Sequence, residues 1–426
     1  MEIAFCLILF LFCCILKPLH ILYMLLFLLP IHGTIKEVLF ASSGMLFASW
    51  KEIAILIMLV KLWRNQSRLN AGVIKLFIVF FVYLIVYSAI GLASNLSVIS
   101  TIKQLVFPIV IVYVMSLMRL NKDDVLKIIV TMGLGCMLID ISGLIDFLSP
   151  TYRMLFRNIM HVGYLMDSKG NVYYDTSSFK IMGIDRACGL MAGGPNQFGV
   201  YNAVVLLTSL LYWLIMYNKL SKRYSKFLLF VTVLSLSCLL ISFSRAGCAI
   251  VGIAFILYMY KTNPNFIALS VKVLVPILIL IVFVSFFSST VADVFLGTFT
   301  GKEASSAARA SMTQDSMQFL LQHPLGFGIG AVNYTHQGNH FAAFAESSII
   351  NFGIDIGLLG IFLLVLIIFQ IYRSILKDKN NLAIFCSCAI IANLITSFVS
   401  VNPYENPYIY LSWIVFSLPL AYRKIS

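Results

Sequence analysis

Long apolar stretches separated by short polar turns dominate this chain. With roughly twenty apolar residues needed per bilayer crossing, spans fall at 3–31, 50–64, 71–93, 103–118, 124–147, 195–217, 225–243, 246–260, 266–294, 346–372, 381–401 and 407–422. That predicts about twelve helices, several short enough to draw on flanking residues. Lys17-Pro18 interrupts the first stretch, which is either one kinked helix or two half-spans. Two long segments escape the pattern, 148–194 and 295–345. Within the second, 307–321 has an amphipathic spacing and is expected to form a helix on the membrane surface.

Composition fixes the class. Of 426 residues, 61% are hydrophobic and 11% charged, and the mean hydropathy is +0.97. This is the profile of an all-α polytopic membrane protein, and 1–426 reads as a single integral membrane domain. Glu2 stands where a cleavable signal would have a basic region, and no small-residue cleavage site follows the first apolar run.

The net charge of +13 is spread over short loops. It forms no basic patch with interleaved aromatics, so it argues against a nucleic-acid partner and carries topology information instead. With both termini cytoplasmic, the inner loops hold Lys61, Arg64 and Arg68, then Arg119 and Lys122, then Lys219, Lys222 and Arg223, then Arg373 and Lys377. The short outer loops 94–102 and 402–406 hold no Lys or Arg. A thirteen-span alternative puts the N-terminus outside and Lys17 at an inner turn. On the twelve-span reading, 148–194, 295–345 and the turn 242–247 are extracytoplasmic, and so is the chemistry.

Four polar segments fall on that outer side. Arg186 precedes Gly193-Gly194-Pro195-Asn196-Gln197 at the head of a span, where exposed backbone N–H groups favour an anion. Pairing of Arg186 with Asp185 is the structural alternative. Arg245 sits in Ser242-Phe243-Ser244-Arg245-Ala246-Gly247 between two apolar stretches. A guanidinium there is either a functional cation or a snorkelling one, and on the outer side it runs against the charge bias. Arg309 opens the amphipathic run that ends in His323-Pro324-Leu325-Gly326-Phe327-Gly328-Ile329-Gly330, whose glycines predict a flexible turn. Glu346 heads the span 346–372, with His336 and His340 just upstream. A carboxylate there either caps the helix dipole or acts as a base.

No Ser-His-Asp order, HExxH, metal-binding acidic pair or phosphate-binding loop is present. The nine cysteines show no ligand or disulfide spacing and read as small hydrophobes. Arginines with a carboxylate and no metal motif point to a diphosphate: guanidinium forks hold it bidentately as it departs, and the carboxylate takes a proton from an attacking hydroxyl.

These residues resemble the O-antigen polymerase (Wzy) and O-antigen ligase superfamily. The resemblance rests on the Ser242–Gly247 turn, Arg186-Ala187-x-Gly189 with Asn196, Arg309 followed by His323-Pro324-Leu325-x-Gly-x-Gly, and Gly357-Leu358-Leu359-Gly360. It implies a GT-C-like glycosyltransferase that uses undecaprenyl-diphosphate-linked glycans with inverting, metal-independent chemistry and no cofactor. Arg186 and Arg245 match the arginines that hold the diphosphate. Arg309, Asn196, His323 and His340 are substrate-binding candidates. Ligases show His-Asn where this chain has Glu346-Ser347, which favours a polymerase and makes Glu346 the candidate base.

The expected product is an O-antigen, capsular or exopolysaccharide chain. Membrane lipids are the surroundings, and a chain-length regulator and a flippase are the expected pathway partners. An O-antigen ligase-type transferase remains an alternative within the family. A lipid-linked oligosaccharide flippase is the rival from another class, with Asp140, Lys272 and Asp355 as its only deep ionisable residues.

Overall fold

The computed structural model describes residues 2–40, 47–90, 95–159, 164–166, 172–174, 179–181, 184–191, 193–262, 304–332, 345–405 and 407–422. The chain is helical almost throughout these segments. Helices α1 (Glu2–Ile15), α2 (Pro18–Leu28), α3 (His32–Phe40) and α4 (Trp50–Leu62) are followed by α5 (Ala71–Ile90), α6 (Asn95–Leu117) and α7 (Lys122–Leu148). After α8 (Pro150–Ile159) come two short antiparallel ribbons, β1 (Tyr164–Met166) with β2 (Val172–Tyr174) and β3 (Lys180–Ile181) with β4 (Ile184–Asp185). The remainder comprises α9 (Gly194–Met216), α10 (Lys222–Ile241), α11 (Arg245–Thr262), α12 (Ala304–Gln322), α13 (Ser348–Leu376), α14 (Asn381–Ser397), α15 (Tyr408–Phe416) and α16 (Leu418–Ala421).

Among the described residues, seven helices are long and apolar enough to cross a bilayer: α5, α6, α7, α9, α10, α11 and α13. The pair α2 and α3 makes an eighth only as a span bent by 73°. The expected spans 50–64 and 381–401 are the shorter helices α4 and α14. The span 407–422 divides at Ser417, with Pro419 in the first turn of α16. The expected span 266–294 lies outside the described residues. Exposed Ile78, Val79, Val82, Ile85, Leu229, Phe230 and Val233 give α5 and α10 apolar outer faces, as lipid contact requires. α9 is nearly enclosed: Phe198, Val200, Tyr201, Ala203 and Val205 are fully buried.

Hydrogen bonds sort the helix ends into two groups. At one end, Arg68 bonds the carbonyl of Tyr422 at 2.6 Å and pairs with Asp378 at 3.1 Å. Asn65 reaches Leu117 O, and Leu120 N–H reaches Ala421 O at 2.9 Å. The Asn121 and Asp124 capping box starts α7 there, with bonds of 2.8 and 3.1 Å. This is the end of the basic loops. The opposite end gathers Thr34 with Leu190 O, Ala187 N–H with Ile241 O, and Ser348 with Ser400 O.

The N-terminus does not follow the expectation that both termini share a side. Glu2 accepts a hydrogen bond of 2.9 Å from Phe47 N–H, and Phe5 packs on Phe40 and Phe47. Those residues belong to the end opposite Tyr422. Cys14 and Leu16 meet Lys61 at the basic end through their carbonyls. Pro18 cannot extend the ladder from α1, so the chain turns at Lys17 and α2 runs back. This is the arrangement of the thirteen-span alternative.

The glycine segment 326–330 also departs from its expected flexible turn. It docks on a break in α13 at Gly357 (φ 70°, ψ 174°). Breaking a helix in an apolar layer strands backbone groups. The segment satisfies them: Phe327 N–H bonds Ile354 O at 2.8 Å, Gly328 N–H bonds Asp355 O at 3.0 Å, and Leu358 N–H bonds Pro324 O at 2.8 Å. Tyr83 takes Ile356 O at 2.6 Å, and the Asp355 carboxylate receives Val332 N–H at 2.9 Å. A helix, α12, covers the run expected to be amphipathic, but its apolar residues are not gathered on one face. It holds buried Leu320 against Gly353 of α13 and leaves Met312, Met317 and Leu321 exposed.

This docking makes two glycines irreplaceable. Gly326 and Gly357 have φ of 76° and 70°, and an added Cβ would stand 2.5 Å from Gly357 N or 2.6 Å from Leu325 O, respectively. Gly326→Ala or Gly357→Ala is expected to lower stability by about 1–3 kcal/mol or more. Gly252→Ala, which meets nothing within 4 Å, is expected to be neutral or mildly stabilising. Thermal unfolding of the purified variants in detergent checks the contrast, and equal melting of all three would refute it.

Candidate functional site at the N-terminus of α9

The site is assembled on the first turns of α9. Upstream, Gly189 rests on α7, where an added Cβ would lie 2.5 Å from both Gly143 N and Ser142 Oγ. The buried Asp146 carboxylate at the end of α7 accepts Cys188 N–H at 2.8 Å and Gly189 N–H at 3.0 Å. Charge-assisted bonds of this kind are the stronger class, and they fix the backbone just after Arg186. Arg153 on α8 binds Asp185 at 2.6 Å, so that carboxylate is committed elsewhere and Arg186 takes other partners. Arg157 stacks on the Phe179 ring at 4.6 Å.

Arg186 is buried, at 6% exposure. Its Nε donates to Ser242 O at 2.9 Å, and its Nη2 donates to Asn196 Oδ1. Ser244 Oγ donates to Asn196 O at 3.2 Å. Asn196 therefore joins the arginine to the turn that carries Arg245. The approach is close: a Cβ on Gly199 would lie 2.2 Å from Ser244 Cβ, and one on Gly247 would lie 2.7 Å from Gly199 O. Phe243 adopts φ 49° to make the turn, a conformation that costs a non-glycine residue energy and marks sites the surroundings over-determine. Ser244 then caps α11, accepting Gly247 N–H at 3.3 Å. Arg245, half-buried, is the first residue of α11.

The other flank of α9 meets carboxylates. Gln197 folds over Gly193, where any Cβ would overlap it, and its Nε2 donates to Glu405 Oε2 at 2.8 Å. Burial raises the Glu405 carboxyl above its usual range, and the nearby charge of Glu346 raises it further, while the Gln197 bond opposes both. Glu346, half-buried, precedes Ser347, whose side chain caps α13 by accepting Ile350 N–H. Ser347 Oγ reaches Ser397 O, and Ser348 Oγ reaches Ser400 O at 3.1 Å. These bonds hold the head of α13 beside the loop that carries Glu405.

The structure thus brings together Arg186, Asn196 and the Arg245 turn on one flank of α9, with Glu346 and Glu405 on the other. His323 does not join them. It packs at a tilt on Phe319 at 5.0 Å and edge-to-face on Phe327 at 4.8 Å, two rings that stack on each other, at the Gly357 break. That break lies nine residues along α13 from Ser348, about 14 Å of helix rise. Its ring stays exposed beside the aromatic residues of the docked segment. Arg309 lies on α12 with its side chain outside the described residues, and His336 and His340 lie outside them altogether. Tyr152 is exposed on α8. Tyr164 pairs with Tyr174 across the first ribbon, and Tyr173 pairs with Leu165. Among the described residues, no three His, Cys, Asp or Glu side chains converge to hold a metal.

Asp146, Gln197 and Glu405 escaped the sequence reading. Glu405 had a signal, as a carboxylate on a short outer loop, while Asp146 looked like the unremarkable end of a span. The role of Asp146 can be tested. Asp146→Ala strands two buried N–H groups and is expected to cost on the order of 3 kcal/mol, whereas Asp146→Asn retains an acceptor and costs about 1. Thermal unfolding in detergent ranks the two, and equal stability would remove the anchoring role.

Comparison with known proteins finds a likeness over part of the chain. Residues 230–365 match the family model described as O-antigen ligase. They include Arg245, Arg309, His323, Glu346 and the Gly357 break, while Arg186, Asn196 and Glu405 lie beyond the matched segment. No curated protein and no solved structure matches the chain. The matched segment supports the O-antigen polymerase and ligase superfamily as the family of this multi-pass membrane protein.

Proposed function

We propose that the protein is a membrane glycosyltransferase that polymerises undecaprenyl-diphosphate-linked repeat units at the outer face of the bacterial cytoplasmic membrane. The observation that carries this reading is the double use of Asn196, which ties Arg186 to the Ser242–Arg245 turn. It sets two guanidinium-bearing segments beside one helix N-terminus, an arrangement suited to a diphosphate.

The growing chain on its lipid diphosphate is the donor. The non-reducing-end hydroxyl of an incoming lipid-linked unit attacks the anomeric carbon from the face opposite the diphosphate. The new glycosidic bond forms as the carbon–oxygen bond to the diphosphate breaks, and the configuration inverts. Arg186 and Arg245 stabilise the charge on the departing diphosphate. Glu346 accepts the hydroxyl proton. No step requires a metal. The product is a surface polysaccharide, and a flippase and a chain-length regulator are the natural pathway partners.

The buried acids do not favour the transporter reading. Asp355 accepts the backbone of the docked glycine segment. Asp140 contacts Cys136 and Ser235, at 3.4 and 3.3 Å, within the packed α7–α10 crossing. Both have local partners within the packed helices, and Lys272 lies outside the described residues.

Arg245→Ala and Arg245→Lys are both expected to abolish polymer while leaving the protein in the membrane. Lysine keeps the charge but loses the planar fork. Gel analysis of surface polysaccharide in a deletion strain reads the outcome, and wild-type chain length in Arg245→Ala would end the proposal. A cysteine placed beside Arg186 in a cysteine-free background is expected to react with an impermeant thiol reagent in intact spheroplasts, and one placed near Arg223 is not. The reverse labelling pattern would put the site in the wrong compartment.

A further inference from the structure

We propose that Glu405 is the second half of the proton acceptor, forming with Glu346 a carboxylate pair that Gln197 orients from α9. The proposal rests on the glycosyltransferase reading and adds a residue to its site.

Three contacts assemble the pair. Gln197 Nε2 holds Glu405 Oε2 at 2.8 Å, which fixes one carboxylate oxygen. Gln197 follows Asn196, the residue that holds Arg186, so one turn of helix sets the distance from the carboxylates to the arginine. The Ser347 and Ser348 hydroxyls tie the head of α13 to the carbonyls of Ser397, Ser400 and Val401, which keeps Glu346 beside the loop of Glu405. The two charges are close enough to repel each other. The groups facing Glu405 are therefore Gln197 from α9 and Glu346 from the head of α13.

Two carboxylates that repel bind a first proton more tightly than either does alone, because the bound proton removes the repulsion. A pair emptied of protons is thus a stronger base than an isolated glutamate. The reaction balances simply. The acceptor oxygen forms its bond to the anomeric carbon, the diphosphate leaves with the electron pair of the broken bond, and the hydroxyl proton passes to the pair. Water removes that proton after the product moves on. No oxidant, metal or further reactant enters.

A purely structural Glu405 predicts a different outcome. Its loss would loosen the loop and lower the amount of folded protein, but the turnover of the surviving enzyme and its pH profile would not move. The paired role predicts that Glu405→Gln lowers kcat on the order of 10²–10⁴ with KM for lipid-linked units nearly unchanged. It also predicts that in Glu346→Gln the acidic limb of the remaining kcat profile moves to lower pH, because Glu405 no longer has a charged neighbour. Gln197→Leu, which releases the oriented oxygen but keeps both acids, is expected to lose roughly ten- to a hundredfold in kcat.

The experiment is chain extension by the purified full-length protein in liposomes, run across pH for wild type, Glu405→Gln, Glu346→Gln and Gln197→Leu. It is paired with an infrared titration of the carboxyl stretch in the absence of substrate. The expected titration shows one carboxyl in the wild type keeping its proton to higher pH than an ordinary glutamate, a feature removed by Glu405→Gln and moved to lower pH by Glu346→Gln. Near-normal kcat in Glu405→Gln overturns the proposal, and so does an acidic limb or a carboxyl titration unaltered by Glu346→Gln. Because the titration needs no turnover, a wild type inactive on lipid-linked units would sink the polymerase reading while still deciding whether the pair exists.

Discussion

Everything at the candidate site depends on how α9 begins. Asn196 bonds Arg186 through its side chain and Ser244 through its main chain, while Gly199 and Gly247 let the two backbones approach more closely than any side chain would permit. A buried guanidinium is costly unless its hydrogen bonds are met, and here the Ser242 carbonyl and the Asn196 side-chain amide accept two of them. Those bonds hold the positive charge in position beside the Arg245 turn.

The rest of the bundle can be understood as support for that first turn. Asp146 pins the strand leading into it, α7 and α10 enclose α9, and the Gln197 bond carries its register across to Glu405. The broken helix α13 serves the same end by another route. Its break at Gly357 leaves polar backbone exposed within an apolar layer, and the 324–332 segment fills that need with donors and acceptors of its own. A segment that looks like a mobile loop in sequence is a fixed plug because the stranded carbonyls of Ile354, Asp355 and Ile356 demand partners.

Much of this was legible from residue order. The apolar stretches gave the long helices, and Arg186, Asn196 and Arg245 were singled out before their contacts were visible. Three things were not legible, for physical reasons. The course of α1 is set by Glu2 and Phe5 meeting Phe47, a contact between residues too far apart for any local pattern to report. The charge bias counts loops and carries little weight for an N-terminal helix flanked by the single lysine Lys17. The role of Glu405 depends on an amide 208 positions away in sequence.

The most direct measurement is a structure of the full-length protein in lipid nanodiscs, bound to a lipid-diphosphate-linked repeat unit whose sugar cannot be transferred. The account predicts phosphate density between Arg186 and Arg245 at the head of α9, with the first sugar directed towards Glu346 and Glu405. Density for the phosphates at the opposite end, among Arg68, Arg373 and Lys377, would contradict it.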